Sequence, residues 1–212
     1  MADNRTIFLD RDGVINRDSP NYITSWDQFV FLPGSLDAIC RMTQAGMAVM
    51  VITNQSAVGR GMLDIETLEV MHRNLCQAVD ARGGRIDAIF YCPHHPDDEC
   101  DCRKPKPGLI RQAQRQYRLD LPAATMIGDS ARDIECGIRA GCGRTILVRS
   151  GLHDALPQLK AQGMPPDWIA LDLAAAVLRH QRIDESRIQA WMRRQHERAL
   201  QGTVTEPVLA TD

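Results

Sequence analysis

The sequence predicts an α/β fold, a doubly wound parallel sheet with helices on both faces. Three observations lead there. Short apolar, β-prone runs alternate with helical patterns along the chain. The second run, Ala48-Val49-Met50-Val51-Ile52, is apolar throughout, as a parallel strand covered on both faces must be. Polar residues able to do chemistry follow the ends of successive runs, and open parallel sheets bind ligands beyond the carboxyl ends of their strands.

Taken in order, Thr6-Ile7-Phe8-Leu9 is the first strand, and it opens into a loop at Gly13. The polar stretch 16–27 that follows exceeds the usual connection of about 4–6 residues, which marks it for function. Pro33-Gly34-Ser35 starts a helix with Leu36, Ile39, Met42 and Thr43 on one face, and Gly46 stops it. The second strand runs to Thr53, and Asn54-Gln55-Ser56 with Gly59 and Gly61 make the next loop. Asp64 is the N-cap of a helix reaching about Arg82, where Gly83-Gly84 breaks it. The third strand covers 88–91, a cysteine-rich segment fills 92–102, and a helix spans 107–117. A fourth strand at 124–127 leads through Gly128-Asp129-Ser130 into a helix over 131–140. A fifth strand at 144–148, a short sixth around 168–170 and a helix over 171–181 complete the pattern. Residues 185–200 carry a charged helical pattern with little apolar face, and the end of the chain has the composition of a disordered tail. The expected division is a catalytic domain, 1–182, and a C-terminal helical extension with its tail, 183–212. The first strand is followed by no insertion large enough for a separate cap domain.

A chain of 212 residues with a formal charge of −2 fits one domain with a sizeable core. It has no basic arm interleaved with aromatics, so no nucleic-acid partner is expected. No apolar run approaches the ~20 residues that span a bilayer, and Met1 to Arg5 lack the apolar centre of a signal peptide. The expectation is a cytoplasmic monomer without a membrane partner. Seven cysteines are many for a reducing compartment. Cys40, Cys76, Cys136 and Cys142 fall in apolar or helical contexts, where a thiol packs as a small hydrophobe. Cys92, Cys100 and Cys102 crowd beside His94 and His95, which there points to metal rather than disulfide. Three sulfurs and one imidazole suit a tetrahedral structural zinc.

Four signals fall at consecutive strand ends. Asp10 and Asp12 close the first strand, and a period of two turns both to one side. Such like charges need compensation, most simply a divalent cation and a substrate phosphate. Thr53 ends the second strand with its hydroxyl toward that pair. Arg103-Lys104-Pro105 precedes a helix and supplies fixed cationic donors for phosphate oxygens. Asp129, with Asp133 one turn on, completes a set of oxygen ligands for magnesium. Each alone is compatible with a plain turn or cap; their shared edge is what carries the reading.

Asp10-Arg11-Asp12-Gly13, Thr53-Asn54-Gln55, Lys104 and Gly128-Asp129 with Asp133 resemble, in order, the four motifs of the haloacid dehalogenase-like phosphatases over roughly the first 150 residues. Within them, Thr53-Asn54-Gln55-Ser56, Gly59-Arg60-Gly61 and Cys100-Asp101-Cys102-Arg103-Lys104-Pro105 resemble a zinc-loop group that acts on heptose bisphosphates. The histidinol-phosphate phosphatases are the runner-up, and a silent scaffold on the same fold is a third reading. The resemblance implies that Asp10 is the nucleophile and Asp12 the general acid and base, with a raised pKa as its starting point. It implies magnesium on Asp10, the Asp12 backbone carbonyl and Asp129, with Asp133 in support. Thr53 and Lys104 then hold the phosphoryl oxygens, and Asp18, Ser19, Tyr22, the Asn54, Gln55 and Ser56 backbone and Arg103 receive a phosphorylated sugar. The zinc ligands it implies are Cys92, His94, Cys100 and Cys102.

Overall fold

Six strands, β1 (Thr6–Leu9), β2 (Ala48–Asn54), β3 (Ala88–Cys92), β4 (Thr125–Gly128), β5 (Arg144–Val148) and β6 (Trp168–Ala170), make one sheet. Its order is β3-β2-β1-β4-β5-β6, and every neighbouring pair is parallel. The structure, a computed structural model, describes residues 5–180. The expected extension at 183–212 therefore lies outside the described residues.

Among the described residues seven α-helices connect and flank the strands: α1 (Ser35–Gln44), α2 (Ser56–Gly59), α3 (Ile65–Asp80), α4 (Gly108–Tyr117), α5 (Ala131–Ala140), α6 (Leu156–Ala161) and α7 (Leu173–His180). Alternation along the strands feeds two layers. Ile7, Leu9, Val49, Val51 and Ile127 pack with Ile39, Met42, Met71, Leu75 and Val177 of α1, α3 and α7. Phe8, Met50, Ile52 and Met126 face the other way, onto Leu109, Ile110, Ala113 and Cys136 of α4 and α5. Cutting a fully buried strand residue such as Leu9 back to alanine costs about 2–5 kcal/mol.

The predicted elements are present with shifts of a residue or two at their ends. Asp64 caps α3 as expected, its carboxylate accepting from Thr67 N at 2.6 Å. The sequence reading passed over α2 and α6. α2 is a single turn, and α6 has only Leu159 buried, too little apolar periodicity to read. Loop 10–34 carries no helix beyond one short turn at Trp26–Gln28, and an Asn16–Phe31 bridge folds it back on itself. Within it Trp26 stacks on Phe29, and Phe31 meets both edge-on. Among the described residues no helix is long and apolar enough to cross a membrane.

Candidate active site

Strand order reverses between β1 and β4, because β1 continues to β2 on one side and the chain returns to β4 on the other. The carboxyl rim at that point holds a cleft of about 220 Å3. Asp10, Asp12, Asp18, Ser19, Tyr22, Thr53, Asn54, Gln55, Ser56, Arg103, Lys104, Asp129 and Asp133 all line it. Every catalytic and substrate residue expected from sequence is thus at one place.

Asp12 is enclosed by donors. Arg11 Nε and Nη2 reach Asp12 Oδ1 at 3.2 and 3.0 Å, and Nη2 reaches Oδ2 at 2.9 Å. Asn16 Nδ2 donates to Oδ1 at 2.8 Å, and Gln55 Nε2 donates to Oδ2 at 2.9 Å. Gln55 Nε2 also donates to Thr53 Oγ1 at 2.9 Å, so the end of β2 is tied to the end of β1. The raised pKa expected of Asp12 is not found. Burial pushes its carboxyl up, but the Arg11 guanidinium and the bonds from Asn16 and Gln55 outweigh burial and hold it below its ordinary value.

Asp10 sits in the opposite situation. It shares Lys104 Nζ, 2.8 Å away, with Asp133 at 2.6 Å, and the third Lys104 proton goes to the Ile52 carbonyl at 2.8 Å. One buried ammonium thus faces a crowd of carboxylates. Burial, then the Asp133 charge, raise Asp10 to about 7 against the pull of Lys104. Burial, then Asp133 and Asp10, raise Asp129 to about 9. The Lys104 ammonium is held above its usual range, because Asp10 and Asp133 outweigh its own burial.

That donor set fits a hard divalent cation. Asp10, Asp129 and Asp133 bring carboxylate oxygens within 4.8 Å of one another, all oxygen and net negative, as magnesium requires. Asp129 is seated closely by glycines. A Cβ on Gly13 (φ +82°) or Gly151 would lie 2.5 or 1.9 Å from its Oδ2. Asp133 accepts from Ser130 N at 3.0 Å and Ser130 Oγ at 2.6 Å, which fixes it at the start of α5.

The substrate loops divide in a way the sequence did not announce. Asn54 turns its amide onto a backbone 50 residues away: Oδ1 accepts from Lys104 N at 3.0 Å and Nδ2 donates to Lys104 O at 3.2 Å. With Gln55 spent on Asp12 and Thr53, the side chains of both residues brace the machinery. Arg103 differs. Its Nη1 is buried with no partner, so it has a donor to offer to an anion. Tyr22 adopts φ +65°, with the Arg60 guanidinium 5.9 Å from its ring centre. Asp18 is half-buried, and burial raises its carboxyl.

Residues missed from sequence are Arg11, Asn16, His72 and Arg132, whereas Ser130 caps α5 as expected. Arg132 lines the cleft from the first turn of α5. The Asp-Arg-Asp spacing offered a signal for Arg11. His72 sits among the buried Leu68, Met71 and Leu75 of α3 and reads there as one more core position.

The cysteine segment closes on itself beside the cleft. Cys92 Sγ lies 3.6 Å from His94 Nδ1 and 3.5 Å from Cys100 Sγ. Cys102 Sγ lies 3.1 Å from His94 Nδ1 and 3.4 Å from Cys100 Sγ. A tetrahedron with Zn–S bonds of about 2.3 Å has edges of about 3.8 Å, so these four atoms fit zinc. His95 is used otherwise, accepting from Asp97 N at 3.3 Å and taking Asp98 Oδ2 on its own N–H at 2.8 Å. Burial raises the Cys92 and Cys102 thiols. Two glycines press against the segment: a Cβ on Gly59 would lie 2.2 Å from His95 N, and one on Gly108 would lie 2.2 Å from the Asp101 carbonyl oxygen.

Comparison with known proteins agrees with this geometry. A HAD-hydrolase-like family model matches residues 101–176. The D-glycero-beta-D-manno-heptose-1,7-bisphosphate 7-phosphatase of Bordetella bronchiseptica is 46% identical over 159 residues, 71% of this chain and 89% of that one. The Pseudomonas aeruginosa enzyme of the same name is 48% identical over 145 residues, 68% of this chain and 81% of its own. A crystal structure of the D,D-heptose 1,7-bisphosphate phosphatase from B. bronchiseptica, complexed with magnesium and phosphate, superposes with a TM-score of 0.77 at 43% identity, covering 84% of this chain and 98% of that one. The chain belongs to the family of the HAD-like D-glycero-β-D-manno-heptose-1,7-bisphosphate 7-phosphatases.

Proposed function

We propose that the chain is a magnesium-dependent phosphatase that removes the 7-phosphate of D-glycero-D-manno-heptose 1,7-bisphosphate. The observation that carries this reading is the pairing at one strand tip of an unsated, lysine-bound Asp10 with a donor-saturated Asp12. Such asymmetry suits a nucleophile beside a proton carrier.

In this mechanism an Asp10 oxygen forms a bond to phosphorus as the bond to the sugar oxygen breaks. That oxygen takes its proton from Asp12, and the heptose 1-phosphate departs. A water then attacks phosphorus and gives its proton to Asp12; the acyl–phosphate bond breaks, inorganic phosphate leaves, and Asp10 is regenerated. The lowered pKa of Asp12 suits it as the base of the second half. Its protonation for the first half is favoured by the arrival of a phosphate dianion, a like charge beside it. Thr53 and Lys104 steady the equatorial oxygens, and Arg103 binds the substrate's anionic groups. Magnesium on Asp10, the Asp12 backbone carbonyl and Asp129, with Asp133 supporting Lys104 and the site, supplies positive charge against the nucleophile and the phosphoryl group. Zinc on Cys92, His94, Cys100 and Cys102 stiffens the segment that delivers Arg103 and Lys104. A phosphorylated sugar of this kind places the reaction in heptose precursor metabolism in the cytoplasm.

Phosphate release from heptose 1,7-bisphosphate, heptose 1-phosphate and histidinol phosphate tests the proposal. The bisphosphate is expected to be fastest and to leave heptose 1-phosphate by phosphorus NMR. Faster turnover of histidinol phosphate overturns the assignment.

A further inference from the structure

Among the described residues Arg11 is the largest fully buried side chain, 1% exposed. Burying a guanidinium is expensive, and an apolar residue of similar volume often serves stability as well or better. Its contacts say what the charge is for. Three of the five hydrogen bonds that Asp12 receives come from Arg11. The remaining terminal nitrogen, Nη1, lies 3.3 Å from His72 Nε2, and Phe29 covers the guanidinium at 5.6 Å. An arginine N–H only donates, so His72 must accept through an unprotonated Nε2 and carry its proton on Nδ1. Burial, followed by the Arg11 charge, drives His72 down to about 3, and the imidazole remains an acceptor at any working pH. His72 is itself wedged by the Tyr91 ring, 5.3 Å between centroids. A continuous brace therefore runs from α3 and β3 through His72 and Arg11 to the plane of one carboxylate.

We propose that Arg11, its outer end anchored on neutral His72, is the positioning residue that aims the Asp12 carboxyl group, first at the sugar oxygen leaving phosphorus and then at the attacking water. This rests on the reading of Asp12 as the acid and base. Neither Arg11 nor His72 supplies a proton. A brace of this kind predicts a selective defect. When a sugar phosphate reacts, the P–O bond breaks only as the leaving oxygen gains a proton. When 4-nitrophenyl phosphate reacts, the same bond breaks and the electron pair departs with the phenolate, with no proton needed.

The test is single-turnover formation of the aspartyl phosphate by the full chain with magnesium, using His72→Leu and His72→Gln. His72→Leu removes the acceptor; His72→Gln restores one through its amide oxygen. The expected result is about tenfold slower transfer from the sugar bisphosphate in His72→Leu, with KM and 4-nitrophenyl phosphate transfer within about twofold, and recovery to within about threefold in His72→Gln. Arg11→Lys, which keeps the charge and loses the fork, is expected to repeat the selective pattern and serves if His72→Leu does not fold. Equal slowing of both substrates, no slowing of either, or no recovery in His72→Gln overturns the proposal. A wild-type chain inactive on heptose bisphosphate defeats the functional reading alone. The same comparison then runs on whichever alkyl phosphate the enzyme does hydrolyse.

Discussion

Asp10 and Asp12 stand two residues apart on one strand tip, and their surroundings are opposite. On the Asp12 side the protein supplies all the compensation, with a guanidinium and two amides bonded to one carboxylate. On the Asp10 side two carboxylates, Asp10 and Asp133, share one ammonium, and a third, Asp129, lies within 4.8 Å of both. The first flank is electrostatically finished and its acid is held ionised. The second carries surplus negative charge, and Asp10 and Asp129 are pushed toward the protonated form. In the proposed mechanism fixed charge serves proton traffic on one flank, and unmet charge prepares the other for a cation and a phosphoryl group.

Replacing Asp10, the proposed nucleophile, breaks this contrast most strongly. Asp10→Asn is expected to lower kcat by at least ~1,000-fold while leaving the melting temperature equal or higher, because it removes one of the crowded carboxylates. Activity assays beside thermal unfolding check both halves, and a drop in stability counts against the surplus-charge picture. Lys104→Met follows. It is expected to cost ~100-fold or more in kcat and about 3–5 kcal/mol by chemical denaturation, since it strands buried carboxylates without a counter-charge.

The two flanks also predict pH dependences of opposite sign. In metal-free protein the raised Asp10 and Asp129 bind protons that the unfolded chain, with carboxyls near 3.8, does not. Their contribution is present at low pH and is lost as pH rises toward 7 and then 9. Magnesium is expected to remove that decline, raising the melting temperature more at pH 8 than at pH 5. On the other flank, His72 falls from 6.5 to about 3 on folding. Below pH 6.5 the unfolded chain therefore binds the extra proton, and stability drops by about 1 kcal/mol per unit as pH falls. His72→Gln is expected to flatten that acid limb, the smallest of these effects. Denaturant titrations between pH 4 and 7 show whether the limb belongs to His72.

The fold and the membership of the site were legible in the sequence because each rests on local signals. Short continuous apolar runs named the strands, and Asp10, Thr53, Lys104 and Asp129 each lie at or just beyond a strand end or in the loop leading to the next helix. What was not legible depends on pairings across the fold. In sequence Asn54 counts for what its backbone could offer a substrate, and only folding shows its side-chain amide on the Lys104 backbone. The pKa of Asp12 was misjudged for the same reason. Its acidic neighbours are visible in sequence, whereas the direction of the Arg11 side chain and the approach of Gln55 are not. The family resemblance favours His94 over His95, and the cluster holds His94; what spacing alone does not reveal is that the His95 ring takes a capping bond from Asp97.

Gly59 and Gly108 have a consequence for how this enzyme can be altered. Bare backbone abuts the thiol-bearing segment from two directions, so its anchoring does not depend on what the short turn between those abutments contains. Residues 96–99 are thereby the natural port for insertion or grafting: added chain is expected to be tolerated there while Lys104, the proposed phosphate ligand, keeps its station. A methyl group introduced at either glycine, by contrast, would shove the segment bodily and disable the enzyme from a position that carries no chemistry.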